Sequence, residues 1–158
     1  MEQWCSGKRE NDMKMLLTMT DPRKVLPHRP PMLLLDKIGY SQDGEAVGEY
    51  TVKGDEFFLQ GHFPDNPVVP GVILCEMMAQ TCAALLQDVE GKTPFFSGIE
   101  KLRFRLPVRP GDQIDFSCRI IKSKGPFYFA KGRGKVLDKV CVEGEFSFAL
   151  IENPSLTE

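Results

Sequence analysis

This sequence is short of paired cysteines, basic excess, long apolar runs and histidines, and each shortage removes a class of function. The five cysteines, Cys5, Cys75, Cys82, Cys118 and Cys141, include no Cys-x-x-Cys pair, so neither a disulfide framework nor a zinc site is expected. Scattered thiols fit a reducing, cytoplasmic setting. A formal net charge of −2 lacks the basic excess of nucleic-acid binders. No run of about 18 apolar residues is present, so no membrane span is expected. The first residues, Met1-Glu2-Gln3-Trp4-Cys5, lack the basic-then-apolar pattern of a secretory signal. There is no glycine-rich phosphate loop, no nucleophile elbow and no metal-ligand spacing, so no metal site is expected. Only two histidines are available for acid–base chemistry, His28 and His62.

What is present supports one domain. At 158 residues and 42% hydrophobic composition the chain can bury a real core. Residues 1–20 are expected to form a weakly ordered lead, 21–152 the domain and 153–158 a tail. Asp21 and Pro22 can open a short helical turn. Pro27-His28-Arg29-Pro30-Pro31 reads as a rigid connector, with His28 bonded locally to backbone. Met32–Ile38 and Glu45–Val52 read as a hairpin turning at Asp43-Gly44. Pro64, Pro67 and Pro70 exclude helix and sheet from the loop that follows.

Residues 72–88 hold no proline or glycine and are apolar nearly all round, which predicts a buried helix ended by Gly91. Strands are expected over Phe95–Arg105, Gln113–Lys122, Pro126–Val136 and Val140–Ile151, joined as an antiparallel meander. The predicted fold is α+β: an antiparallel sheet of about six strands wrapped around one long central helix, the hot-dog arrangement.

Chemistry gathers where the proline loop meets this helix. His62 sits on the stiff loop with little backbone freedom, which suits a preorganised site; the plain alternative is a loop histidine satisfied by a carbonyl. Glu76 lies one turn inside the apolar helix, where burial is expected to raise its pKa and keep it protonated as a proton donor. Gln80, one turn on, can hold that carboxyl in orientation. Gly71 opens the helix, where free N–H groups and the positive dipole end can meet a developing oxyanion. Lys101, Arg103, Arg105 and Arg109 form a basic stretch, either a solvated strand face or a docking patch for an acidic partner.

Leu26-Pro27-His28-Arg29-Pro30-Pro31-Met32-Leu33-Leu34-Leu35-Asp36, Gly61-His62-Phe63-Pro64, Pro70-Gly71-Val72, Glu76-Met77-Met78-Ala79-Gln80 and Arg103 to Asp112 together resemble the FabZ-type 3-hydroxyacyl-[acyl-carrier-protein] dehydratases. The resemblance spans about residues 24–151. It implies a dehydratase of type II fatty acid biosynthesis that converts (3R)-3-hydroxyacyl thioesters to trans-2-enoyl thioesters. It also implies a homodimer that places the helix of one subunit beside the loop of the other, with possible assembly into a trimer of dimers. By position, His62 resembles the catalytic histidine and Glu76 the catalytic acid. Gly71 resembles the oxyanion donor and Gln80 the orienting amide. Lys101, Arg103, Arg105 and Arg109 lie where acyl carrier protein docks, and Phe63, Phe95 and Phe96 are expected to line the acyl tunnel. No cofactor is implied beyond the carrier's phosphopantetheine arm. In one mechanism His62 takes the C2 proton and Glu76 protonates the departing hydroxyl; in another both transfers stay on His62 while Glu76 positions water. Rival functions are a dehydratase that also isomerises the double bond, a hot-dog thioesterase and a non-catalytic acyl-binding protein.

Overall fold

Alternating burial and tight turns build one antiparallel sheet around one helix in the computed structural model, which describes residues 18–86 and 90–154. The strands are β1 (Thr18–Thr20), β2 (Lys37–Tyr40), β3 (Ala46–Thr51), β4 (Lys92–Phe104), β5 (Gln113–Lys124), β6 (Phe127–Val136) and β7 (Lys139–Glu152). Helix α1 runs Gly71–Ala83, and two short 3-10 turns cover Pro22–Lys24 and Phe57–Leu59. Along β5, Ile114, Phe116 and Cys118 point inward while their neighbours face out, the period-2 signature of a half-buried strand. The α1 residues Leu74, Cys75, Met77, Met78, Gln80, Thr81 and Cys82 are buried. No helix among the described residues is long and apolar enough to cross a membrane.

The sheet presses closely on the helix. A Cβ added at Gly48 of β3 would stand 2.4 Å from Thr81 Oγ1 and 3.1 Å from Leu35 Cδ2. Thr81 is fully buried, and its hydroxyl donates to Met77 O at 2.9 Å. It has little room to retreat. Gly48→Ala is therefore expected to cost about 1–3 kcal/mol of stability. Denaturant unfolding should show this as a lower midpoint with an unchanged slope.

The fold class is as expected, with four differences in detail. The sheet has seven strands in the order β1-β2-β3-β5-β6-β7-β4. The addition is β1, paired with β2 and drawn from the stretch read as a weakly ordered lead; residues 1–17 of that lead lie outside the described residues. The strand expected from Met32 begins only at Lys37, because the Gln80 side chain occupies Met32 O and Leu34 N. The helix stops at Ala83 rather than running to Gly91. Its end tightens through Leu85 N to Cys82 O and Leu86 N to Ala83 O.

The fourth difference is topological. β4 pairs with β7 and not with β5, so the four-strand meander is replaced by β5-β6-β7 flanked by β3 and β4. The 105–112 connection contains Pro107 and Pro110, which have no N–H for a hairpin ladder. It instead passes the loop before α1, bonding Val69 N to Val108 O, and reaches β3 through Val52 N to Asp112 O. β4 thus becomes the sheet edge, with Phe95, Phe96, Ile99 and Phe104 all more than two-fifths exposed.

Candidate active site

Gln80 organises one half of the site. It is 1% exposed, and its amide is fully engaged. Oε1 accepts from Leu34 N at 2.9 Å, while Nε2 donates to Met32 O at 2.8 Å and to Glu76 Oε1 at 3.0 Å. One side chain therefore pins the irregular connector to α1 and orients the Glu76 carboxylate. The connector has its own brace: the Arg29 guanidinium donates to Leu26 O at 2.9 Å and to His28 O at 2.6 Å. Held this way, His28 places Nε2 3.6 Å from Glu76 Oε1.

The charge state of Glu76 differs from the sequence expectation. Burial does push its carboxyl upward, but the contacts from His28 and Gln80, with the charge His28 can carry, outweigh it. The net direction is below the ordinary carboxylate value, so Glu76 stands as a carboxylate rather than as a stored proton. It is only partly buried, its side chain 23% exposed, and it opens onto a cavity lined also by His28, Ala79, Ala83, Leu86, Pro94, Phe96 and Phe148. Phe96 is in this wall. Phe95 and Phe63 are not, and both side chains are exposed.

The other half lies on the proline loop. His62 Nδ1 is 2.9 Å from Val68 O, and its ring packs against Phe63 at a 45° tilt with centroids 4.2 Å apart. A carbonyl only accepts, so Nδ1 carries the proton and Nε2 presents a lone pair as a base. Phe63 adopts φ 53°, an uncommon conformation for a bulky residue, beside the histidine it supports. Arg109 ties this loop down, donating to Asn66 Oδ1 at 2.5 Å and lying 3.4 Å from Pro67 O.

Gly71 opens α1 behind Pro70, and the first helical N–H groups have no carbonyl of the helix to bond. A Cβ at Gly71 would stand 2.7 Å from the Phe104 ring, so glycine is also a packing requirement there. Gly71 and Phe104 line a recess with Val68, Leu74 and Leu106 that is separate from the Glu76 cavity. Within one chain, then, Glu76 and Gln80 are brought together, while His62 and Gly71 face elsewhere; His62 does not line the Glu76 cavity.

The basic stretch is less free than its sequence suggests. Arg105 forks onto Glu143 Oε1 at 2.9 and 2.6 Å, and Lys101 Nζ lies 3.5 Å from Glu145. Arg103 makes a bond to the neighbouring Leu102 O and is exposed. Two residues escaped sequence reasoning. Arg109 is engaged in bracing the His62 loop, and His28 faces Glu76 across 48 positions of chain instead of bonding locally. The only sequence signal for His28 was its place in the Leu-Pro-His-Arg segment, to which no chemistry had been attached.

Comparison with known proteins bears on this geometry. Residues 39–145 match the ApeI-like family, described as ApeI dehydratase. The 3-hydroxyacyl-[acyl-carrier-protein] dehydratase FabZ of Clostridium beijerinckii is 42% identical over 141 residues, covering 85% of this chain and 99% of that protein. The protein of the same name from Thermoanaerobacter pseudethanolicus is 44% identical over 136 residues, covering 84% and 96%. Among solved structures, the dehydratase heterocomplex ApeI:P from Xenorhabdus doucetiae superposes with a TM-score of 0.72 at 21% identity, covering 87% of this chain and 95% of that one. At that identity the match speaks for the fold alone.

Proposed function

This chain belongs to the FabZ-type 3-hydroxyacyl-[acyl-carrier-protein] dehydratases, and from that premise we propose how its residues remove water from a (3R)-3-hydroxyacyl thioester. It is a hydro-lyase of fatty acid biosynthesis acting on carrier-bound acyl chains. His62 Nε2 takes the C2 proton, which the thioester carbonyl acidifies. The Gly71 N–H stabilises the enolate-like oxygen, a contribution of about 10²–10³-fold for one such donor. Glu76, as a carboxylate, accepts the hydrogen bond of the C3 hydroxyl and holds it for departure. The His62 imidazolium then returns its proton to the leaving hydroxyl, so one water leaves and the base is regenerated. Direct proton donation by Glu76 is the less favoured route, because its carboxyl sits below the ordinary value.

The observation that carries the assignment is the separation of the two halves in one chain. The Glu76 cavity is walled by Phe96 of β4, which is the free edge of the sheet with an exposed apolar face. A second copy against that edge can bring its His62 loop to this cavity, so each site draws His62 and Gly71 from one subunit and Glu76 and Gln80 from the other. The homodimer is thus part of the catalytic proposal, and a trimer of dimers is its proposed larger assembly. The cytoplasm is the proposed location. Phe96 is proposed as tunnel wall, with Phe63 and Phe95 entering the tunnel only through the dimer. Lys101 and Arg103 are proposed to meet the acidic carrier protein, Arg105 to do so in exchange for Glu143, and Arg109 to act chiefly as the loop brace.

Mass spectrometry of carrier-linked 3-hydroxyacyl substrates of several lengths tests this function. The expected product has lost one water and remains thioester-linked. Release of free thiol instead would mark a thioesterase. In the same assay Arg103→Glu should lower turnover of carrier-linked substrate about tenfold while sparing a short pantetheine thioester, since a rim charge acts through encounter. Equal loss on both substrates removes the docking assignment.

A further inference from the structure

We propose that His28 is a positioning residue for this reaction, its imidazole pressing the Glu76 carboxylate against Gln80 so that one oxygen is fixed and the other is left for the substrate hydroxyl. The inference rests on the proposed role of Glu76 and adds to it a residue that the sequence reading had assigned to local structure.

Three observations carry it. First, His28 Nε2 is aimed at Glu76 Oε1 at 3.6 Å, the same oxygen to which Gln80 Nε2 donates at 3.0 Å. The Gln80 hydrogen bond and the longer electrostatic contact from His28 fall on the same carboxylate oxygen, which leaves Oε2 for a substrate hydroxyl. Second, His28 Nδ1 is buried without a partner. An unpaired lone pair is less costly there than an unpaired N–H, which puts the ring proton on Nε2, facing the carboxylate. Third, the connector carrying His28 is held from both sides, by the Arg29 bonds to Leu26 O and His28 O and by the Gln80 bonds to residues 32 and 34. This is the supporting shell that a preorganised site needs.

Among the described residues, His28 and Glu76 are the ionising side chains that line this cavity. The cavity walls contributed by β4 and β7 are Pro94, Phe96 and Phe148. Cys75, next to Glu76 on the helix, is pushed up to about 11 by burial and by that neighbour, and stays a neutral thiol. Arg29 is turned toward backbone carbonyls. In the proposed dimer His62 of the partner subunit comes to the same cavity.

The test compares His28→Ala and His28→Gln by kcat and KM on a short 3-hydroxyacyl thioester and by the titration of the Glu76 carboxyl followed by carbon-13 NMR, with Glu76→Gln alongside. Removing His28 takes away a contact that favours the carboxylate, so Glu76 should hold its proton to higher pH. The titration of the Glu76 carboxyl itself is expected to move up by about one pH unit in His28→Ala. Its kcat is expected to fall roughly tenfold with KM within about twofold, the pattern of a lost interaction made in the transition state. His28→Gln, whose amide N–H can reach the same oxygen, should recover most of kcat. Should His28→Ala not fold, His28→Asn, too short to reach Glu76, takes its place in the comparison. Wild-type kcat and an unmoved Glu76 titration in the short variant overturn the proposal. So does a loss of kcat with an unmoved Glu76 titration that Gln fails to rescue, which marks packing alone. If Glu76→Gln is fully active, the role assigned to Glu76 fails first; if it is inactive while His28→Ala behaves as wild type, only the role of His28 fails.

Discussion

His62→Ala is expected to lower turnover by about 10²–10⁴-fold, the usual contribution of a positioned general acid–base group. The size of the effect follows from the isolation of the base. Nδ1 is committed to Val68 O, so the whole basicity of the ring is presented by Nε2. The chain has one other histidine, and it faces Glu76. The loss should fall on kcat rather than on folding. The His62 side chain makes one hydrogen bond and sits on a loop fixed independently by Arg109, by the bond from Asn66 N to Phe63 O and by Val69 N to Val108 O. Its thermal midpoint should therefore lie within a few degrees of wild type. Steady-state hydration of crotonyl thioester checks the rate, and circular dichroism checks the fold. A variant within threefold of wild type would place the base elsewhere.

The second large effect is a gain. His62→Ala and Glu76→Ala are each expected to be inactive as homodimers, yet mixing them after reversible dissociation should restore activity. In a mixed dimer one site receives His62 from the Glu76→Ala chain and Glu76 from the His62→Ala chain, and is intact; the other site lacks both. With half of the dimers mixed at random and one working site in each, the mixture should reach about a quarter of wild-type activity. If both residues of a site came from the same chain, mixing would restore nothing. The mixing experiment thus tests the cross-subunit site directly, whatever the final oligomer.

How much of this could be read from the sequence depended on how local the chemistry was. The proline loop, the helix start at Gly71 and the Glu76–Gln80 pair were legible because they are set by residues within one or two turns of each other. The helix end was not. Ala84, Leu85 and Leu86 are good helix formers, and only the packing of the chain beyond Ala83 tightens it into a 3-10 turn. The β4–β7 pairing was hidden because an edge position is decided by the whole sheet, not by the strand's own pattern. The contact between His28 and Glu76 was hidden for the same reason, and with it the charge of Glu76. An acid on an apolar helix reads as protonated until its partner His28, 48 positions away, is known.

The connector between Leu26 and Asp36 carries one more consequence. It presents His28 and frames the cavity; it forms no strand before Lys37, and it is fastened by the Gln80 amide together with the buried side chains of Leu26, Leu34 and Leu35. Segments of this kind open in small, local excursions well below the free energy of global unfolding. The cavity wall that this connector forms is therefore expected to exchange its amide hydrogens ahead of the strands behind it. On warming, hydration activity is then expected to fall before the circular-dichroism signal of the sheet.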